Sequence, residues 1–262
     1  MKRRYHFFSA AIMVLCGLCI LLPLLVLGLW SVAANWPWPE LFPQRFSLRA
    51  IGELFGGYSG AMEALGTSVL LGSAAGLIAA AVGVMAARAV VFYDFPGKRW
   101  VSPAAMLPIL LPGTALTMGL HEIFLRLGLA DTFAGVVIVH VILAVPYTVK
   151  LMIDAATSIG CSYEEAARTL GANDLQAFAL VSAPMLLPGI AASFVMAYIV
   201  SFGDYFSALL IGGGNVRTFT VMMVPYFQSG DRTMAAAYSV TYVIVTLAVF
   251  IALDLVIKRI NK

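Results

Sequence analysis

The chain has 262 residues, 61% of them apolar and only 11% charged, with a net charge of +3. An average soluble domain carries roughly 25% charged residues, so water is not the main solvent of this protein. The small positive excess calls for no nucleic-acid partner.

A helix needs about 20 apolar residues to cross a bilayer core, and six uncharged or nearly uncharged runs of about that length occur. They are continuous and lack the apolar–polar alternation of barrel strands, which predicts an all-α membrane protein with about six transmembrane helices. The first run, Phe7 to Trp30, follows Lys2, Arg3 and Arg4. It exceeds the apolar core of a secretory signal, and the Trp and Pro cluster after it offers no small-x-small cleavage site, so an uncleaved anchor is expected. Cys16 and Cys19 lie in this run with no second pair or histidine to complete a metal site. They are expected to be buried small hydrophobes, with a redox pair as the alternative, and neither metal nor cofactor is expected.

The loop from Ser31 to Glu63 carries Trp36-Pro37-Trp38-Pro39 and Phe42-Pro43. These residues suit the interfacial belt of a membrane, with contact to an extracytoplasmic partner as the alternative. The second run spans Ala64 to Ala87 and the third Val101 to Leu120, with Pro108 and Pro112 inside the latter. These prolines, with Pro146 and Pro188 further on, predict bends that neighbouring helices must satisfy. His121 and Glu122 close the third run. The fourth spans Phe133 to Val149, with His140 inside it and Lys150 just beyond. Interfacial or helix-terminal roles are expected for these four residues. The fifth run starts near Leu186 and passes through Asp204 to about Ile211, and the sixth spans Thr233 to Leu253.

Cytoplasmic loops retain basic residues. With the N-terminus inside, eleven Lys and Arg fall on the inner side (Lys2, Arg3, Arg4, Arg88, Lys98, Arg99, Lys150, Arg168, Lys258, Arg259, Lys262). Five fall outside (Arg45, Arg49, Arg126, Arg217, Arg232). Both termini are therefore expected in the cytoplasm, with residues 1–262 forming one transmembrane domain and 150–185 a cytoplasmic loop within it. Six helices are few for a self-sufficient carrier built from inverted repeats. A second copy or a paralogue is expected to complete the pore.

The 150–185 loop is more polar than its surroundings. Ser162 and Glu165 have capping-box spacing and predict a helix from Tyr163, which Gly171 stops in a left-handed conformation. Asn173 and Gln176 form a weaker start signal, and Pro184 limits the helix that follows. Ala166, Ala167 and Leu170 give the first short helix a surface that another protein can approach closely. Cys161 lies in the same loop.

Glu165-Ala166-Ala167, Gly171 and Pro184 resemble, in identity and spacing, the EAA loop of permease subunits of type I ABC importers, with Val181 and Ala183 where that pattern has Ile and Leu. The resemblance implies the type I permease fold in a bacterial inner membrane. It further implies a docking helix seated in a cytoplasmic ABC ATPase dimer, a second permease subunit and an extracytoplasmic substrate-binding protein. Glu164, Glu165, Ala166, Ala167, Leu170 and Gly171 are then the ATPase-coupling residues, with Glu165 also the capping partner of Ser162 and Glu164 the freer carboxylate for an ion pair with the ATPase. The chain holds no G-x-x-x-x-G-K-S/T phosphate loop, so it is expected to be a transport subunit and not an enzyme.

Ionisable groups inside spans are costly and mark candidate functional positions. Asp204 is the clearest. With Tyr198 and Tyr205 beside it, Asp204 could meet a cationic solute by charge and cation–π attraction. The same carboxylate could instead cap a broken helix end near Gly203, or pair with Arg217. Ser201-Phe-Gly-Asp-Tyr-Phe206, leading to Leu210-Ile-Gly-Gly-Gly214, resembles permeases of the spermidine and putrescine type. That resemblance implies a polyamine cargo, with ferric iron, thiamine, sulfate or phosphonate as alternatives within the wider group. A self-sufficient ion-coupled carrier is the remote alternative.

Overall fold

The structure is a computed structural model that describes residues 2–37, 39–57 and 59–260. Trp38 and Lys262, which entered the sequence reading, lie outside the described residues. Among the described residues five helices are long and apolar enough to cross a membrane, or six if a bent pair counts as one span. The chain forms two compact units, one of Met1–Glu63 with Met222–Leu247 and one of Ala64–Val221 with Ala248–Lys262.

The first unit contains α1 (Lys2–Ser31), a short antiparallel ladder of β1 (Ala33–Asn35) and β2 (Arg45–Phe46), and α2 (Arg49–Phe55). It also holds most of α11 (Phe219–Ser229) and the first half of α12 (Arg232–Ile260). Trp30 stacks on Trp36 at 4.6 Å between ring centroids, and Arg232 lies over the Trp30 ring. Arg49 pairs with Asp231 at 3.2 Å, and the Thr233 hydroxyl donates to the Ala33 carbonyl. These bonds hold the 31–60 loop to the start of α12. Large apolar side chains along α1, Ile12, Leu15 and Leu25 among them, stay exposed within the chain. Cys16 and Cys19 are exposed too, contrary to the expectation of burial, because α1 packs neither of them into a core of this chain.

The second unit is built on α3 (Ala61–Phe92), α4 (Lys98–Leu110), α5 (Gly113–Leu127), α6 (Phe133–Ile159) and α9 (Ala183–Gly203). Helix α6 packs along α9 over much of its length. Without a hydrophobic drive between helices in lipid, close packing relies on small residues. Here α3 presents Gly72 to the Tyr198 ring, Gly76 to Phe194 and Gly83 to the Thr148 carbonyl of α6.

The third expected span departs from a continuous helix. It breaks between α4 and α5 with a bend of 99°. Leu111 is extended (φ −94°, ψ 141°) ahead of Pro112, as the steric clash of a following proline favours. The fourth span continues as α6 to Ile159, so the loop begins at Gly160 and not at Lys150. Lys150 pairs with Asp154 one turn on at 2.8 Å. The fifth begins earlier than expected. From Asp174, α8 (Asp174–Ala177) runs through a π-helical turn (Phe178–Ser182) into α9. It also ends earlier, at Gly203, and α10 (Phe206–Gly212) follows as a separate helix.

Candidate functional site

Two places in the second unit gather the residues that the sequence singled out. The first is the loop helix α7 (Ser162–Thr169). The expected Ser162 box does not form, since Cys161 occupies the cap and no side chain bonds there. The weaker signal forms in full: Asn173 accepts from the Gln176 amide at 2.9 Å and Gln176 accepts from the Asn173 amide at 3.0 Å. Gly171 stops α7 at φ +95°, as expected. A residue with a Cβ pays strain in that region.

Helix α7 keeps Ser162, Glu165 and Thr169 exposed but buries one of its two carboxylates. Glu164 is only 1% exposed, while Leu170 is 89% exposed and Tyr163 53%. Tyr163, Ala166 and Leu170, at i, i+3 and i+7, form one outward face. Glu164 turns inward between Arg88 of α3 and Arg168, each at 3.5 Å. It is thus not the freer carboxylate that the sequence suggested, because it is buried and faces two guanidinium groups of its own chain, by charge and without a hydrogen bond. Glu165 is the exposed member of the pair, and Ala167 is half-buried.

The second place is the end of α9. Asp204 caps the break there by accepting from the Ser207 amide at 3.2 Å. Its other oxygen lies 3.3 Å from Nε2 of His140, which is wholly buried in mid-α6. His140 Nδ1 stands 2.7 Å from the Ser201 hydroxyl. The Nδ1 contact is a hydrogen bond, whereas Nε2 and the Asp204 oxygen it faces meet as a close polar pair with no hydrogen bond between them. Ser207 extends the network to Thr117 of α5 at 2.9 Å, and Thr117 donates to the Gly113 carbonyl. Arg217, the other partner considered for Asp204, is exposed and donates instead to the Gly214 carbonyl at 3.4 Å.

Asp204 and Gly203 line a cavity of about 400 Å³ with Leu111 and Gly113 at the α4–α5 break, Tyr147 of α6 and Val200. Two interrupted helices therefore meet at one cavity. Irregular backbone is tolerated at membrane depth where it is buried in protein or lines such a cavity. Tyr198 stands apart from it, with its ring against Gly72 and stacked on Phe202 at 5.3 Å. Tyr205 is half-buried in the turn after Asp204. Sequence reasoning missed His140 as the partner of Asp204, and Tyr147 as a wall of the cavity. A histidine in mid-run was the available signal. The helix-terminal role expected of it fails because α6 extends ten residues beyond Val149, from Lys150 to Ile159.

Residues 72–262 match the family described as binding-protein-dependent transport system inner membrane component. The molybdate/tungstate transport system permease protein WtpB of Thermococcus kodakarensis is 28% identical over 200 residues, covering 76% of this chain and 80% of that protein. The spermidine/putrescine transport system permease protein PotC of Haemophilus influenzae is 21% identical over 194 residues, covering 74% and 76%. In fold, the chain is similar to a solved bacterial ABC transporter involved in import of the acidic polysaccharide alginate. The TM-score is 0.64 at 18% identity, over 96% of each chain.

Proposed function

The chain belongs to the family of binding-protein-dependent transport system inner membrane components, and on that premise we propose how this multi-pass permease subunit of an ABC importer works. A solute released by an extracytoplasmic binding protein passes the cavity beside Asp204 into the cytoplasm. An ATPase dimer docked on α7 supplies the energy, and a second permease subunit completes the pore. The observation that carries this reading is α7, which turns Glu164 inward and offers Tyr163, Ala166 and Leu170 outward. An exposed apolar face on a polar loop is a protein-binding surface in waiting. Reconstituted with its ATPase and binding protein, the chain is expected to stimulate ATP hydrolysis only when solute-loaded binding protein is present. Hydrolysis indifferent to the binding protein sinks the reading.

Both termini lie in the cytoplasm in this scheme, as the basic-residue count supports. Reporter fusions after Gly57 and Ser229 are expected to read external, and a fusion after Ala172 internal. An external Ala172 puts α7 out of reach of any cytoplasmic ATPase.

The cargo we infer is a polyamine, met by the Asp204 carboxylate with Tyr147 across the cavity. Asp204→Asn keeps an acceptor for the Ser207 amide and removes only the charge. Spermidine uptake is expected to fall about tenfold, equivalent to about 1.4 kcal/mol in the barrier, at unchanged complex assembly. One observation favours a second reading, an oxyanion cargo such as the one in the name of WtpB: His140 and the Ser207 amide already face the two Asp204 oxygens, which leaves them less open to a cation. Uptake of molybdate that Asp204→Asn leaves intact or raises, with no spermidine uptake by the unaltered complex, selects that reading.

A further inference from the structure

We propose that Arg88 is a positioning residue that ties the docking helix α7 to span α3, so that closure of the ATPase moves α3 directly as well as α9 through the chain. The proposal rests on the importer reading above. Arg88 lies near the C-terminal end of α3, and its guanidinium reaches two other elements at once. Nη1 stands 3.5 Å from Glu164 of α7. The guanidinium carbon lies 4.1 Å from the centroid of the Phe178 ring, in the π-helical turn that leads into α9.

The burial makes this contact a mechanical link. Only 16% of the Arg88 side chain and 2% of the Glu164 side chain are exposed. Exposed pairs give little because solvent screens them, whereas a buried pair resists separation, since parting it strands a charge. Stacking on Phe178 adds a cation–π contact on the opposite element. Phe178 belongs to a five-residue π-helical turn, a wide turn of the kind that recurs at functional sites. Two further bonds hold the same corner. The Cys161 thiol donates to the Val91 carbonyl at 3.6 Å, and Arg168 pairs with Asp174 at 2.9 Å. The start of α7, the end of α3 and the root of α9 therefore move as one body, with Arg88 at its centre.

The test uses the complex of the whole chain with its ATPase, second permease and binding protein in proteoliposomes, read as solute carried per ATP hydrolysed. A residue that only supports folding changes how much complex assembles and not this ratio. Arg88→Gln is expected to lower the ratio about fivefold or more in assembled complex, and Phe178→Leu to lower it less. Arg88→Gln combined with Glu164→Gln is expected to do no worse than the poorer single variant, because residues acting through one contact are not additive. An unchanged ratio in Arg88→Gln overturns the proposal, as does a double variant whose loss is the product of the two single losses. If Arg88→Gln does not assemble, Glu164→Gln decides, since it breaks the same pair and leaves the guanidinium on Phe178. A lowered ratio in that variant supports the tether, and a native ratio overturns it. An unaltered complex without solute-stimulated hydrolysis refutes the importer reading itself, a result distinct from any of these.

Discussion

Replacing Gly83 by leucine is expected to abolish accumulation of folded permease, although Gly83 touches neither the docking helix nor the cavity. A Cβ at this position stands 2.9 Å from the Thr148 carbonyl oxygen and 3.2 Å from Cγ of Met152. The first neighbour is backbone of α6, which cannot rotate away as a side chain can. To admit leucine, α3 and α6 must part, and the buried cluster of Ala87, Met152, Ala156 and Leu186 opens with them. Overpacking a tight core costs about 1–3 kcal/mol or more, and lipid gives back no hydrophobic drive to offset the lost contacts. Gly66 is the control on the same helix, since nothing lies within 4 Å of its added Cβ. Detergent-solubilised Gly66→Leu is expected to run as a monodisperse species with the native thermal transition. Gly83→Leu is expected to aggregate or to melt far lower. Equal transitions in the two variants would falsify the close approach of α3 to α6.

The sequence exposes what depends on the run of residues along the chain and conceals what depends on partners across it. The spans centred on α1, α3, α6 and α12 are legible because a helix in lipid must be uncharged for about 20 residues, a property that any window of sequence displays. The two broken spans are harder. Pro112 announced a bend, but a 99° turn also required Leu111 to be extended. The run through Asp204 to Ile211 reads as continuous in summed hydropathy, and only the alternative of Asp204 as the cap of a helix broken near Gly203 pointed to the break. The docking helix shows the same division. Its existence and its glycine stop were local and readable, but its facing was not. Nothing in Glu164-Glu165 tells which carboxylate turns inward, since the answer is Arg88 on another helix. His140 is the extreme case. Read alone it is a stray polar residue, and only the fold brings Ser201 and Asp204 to its two nitrogens.

Ala166→Trp is expected to abolish solute-stimulated ATP hydrolysis and uptake while leaving the chain folded and inserted. Ala166 is exposed on the outward face of α7, so an indole there meets only solvent in the isolated chain. Any loss must then arise in a partner, because a cleft packed to protein density cannot admit the extra ring. Gly171→Pro reaches the same end by another route. Proline fixes φ near −65°, far from the +95° that Gly171 adopts, and it deletes the amide that bonds the Arg168 carbonyl at 3.0 Å. The turn after α7 must then open and the outward face rotate. Leu170→Ala completes the series by trimming apolar surface without adding bulk. It is expected to weaken ATPase binding by up to about 1.5–3 kcal/mol, the value of fully burying one leucine side chain. Co-purification with the ATPase separates failure to dock from failure to transmit, and thermal stability of the isolated chain separates both from misfolding. Normal stimulated hydrolysis in an assembled Ala166→Trp complex removes α7 from the coupling path, whatever Gly171→Pro does.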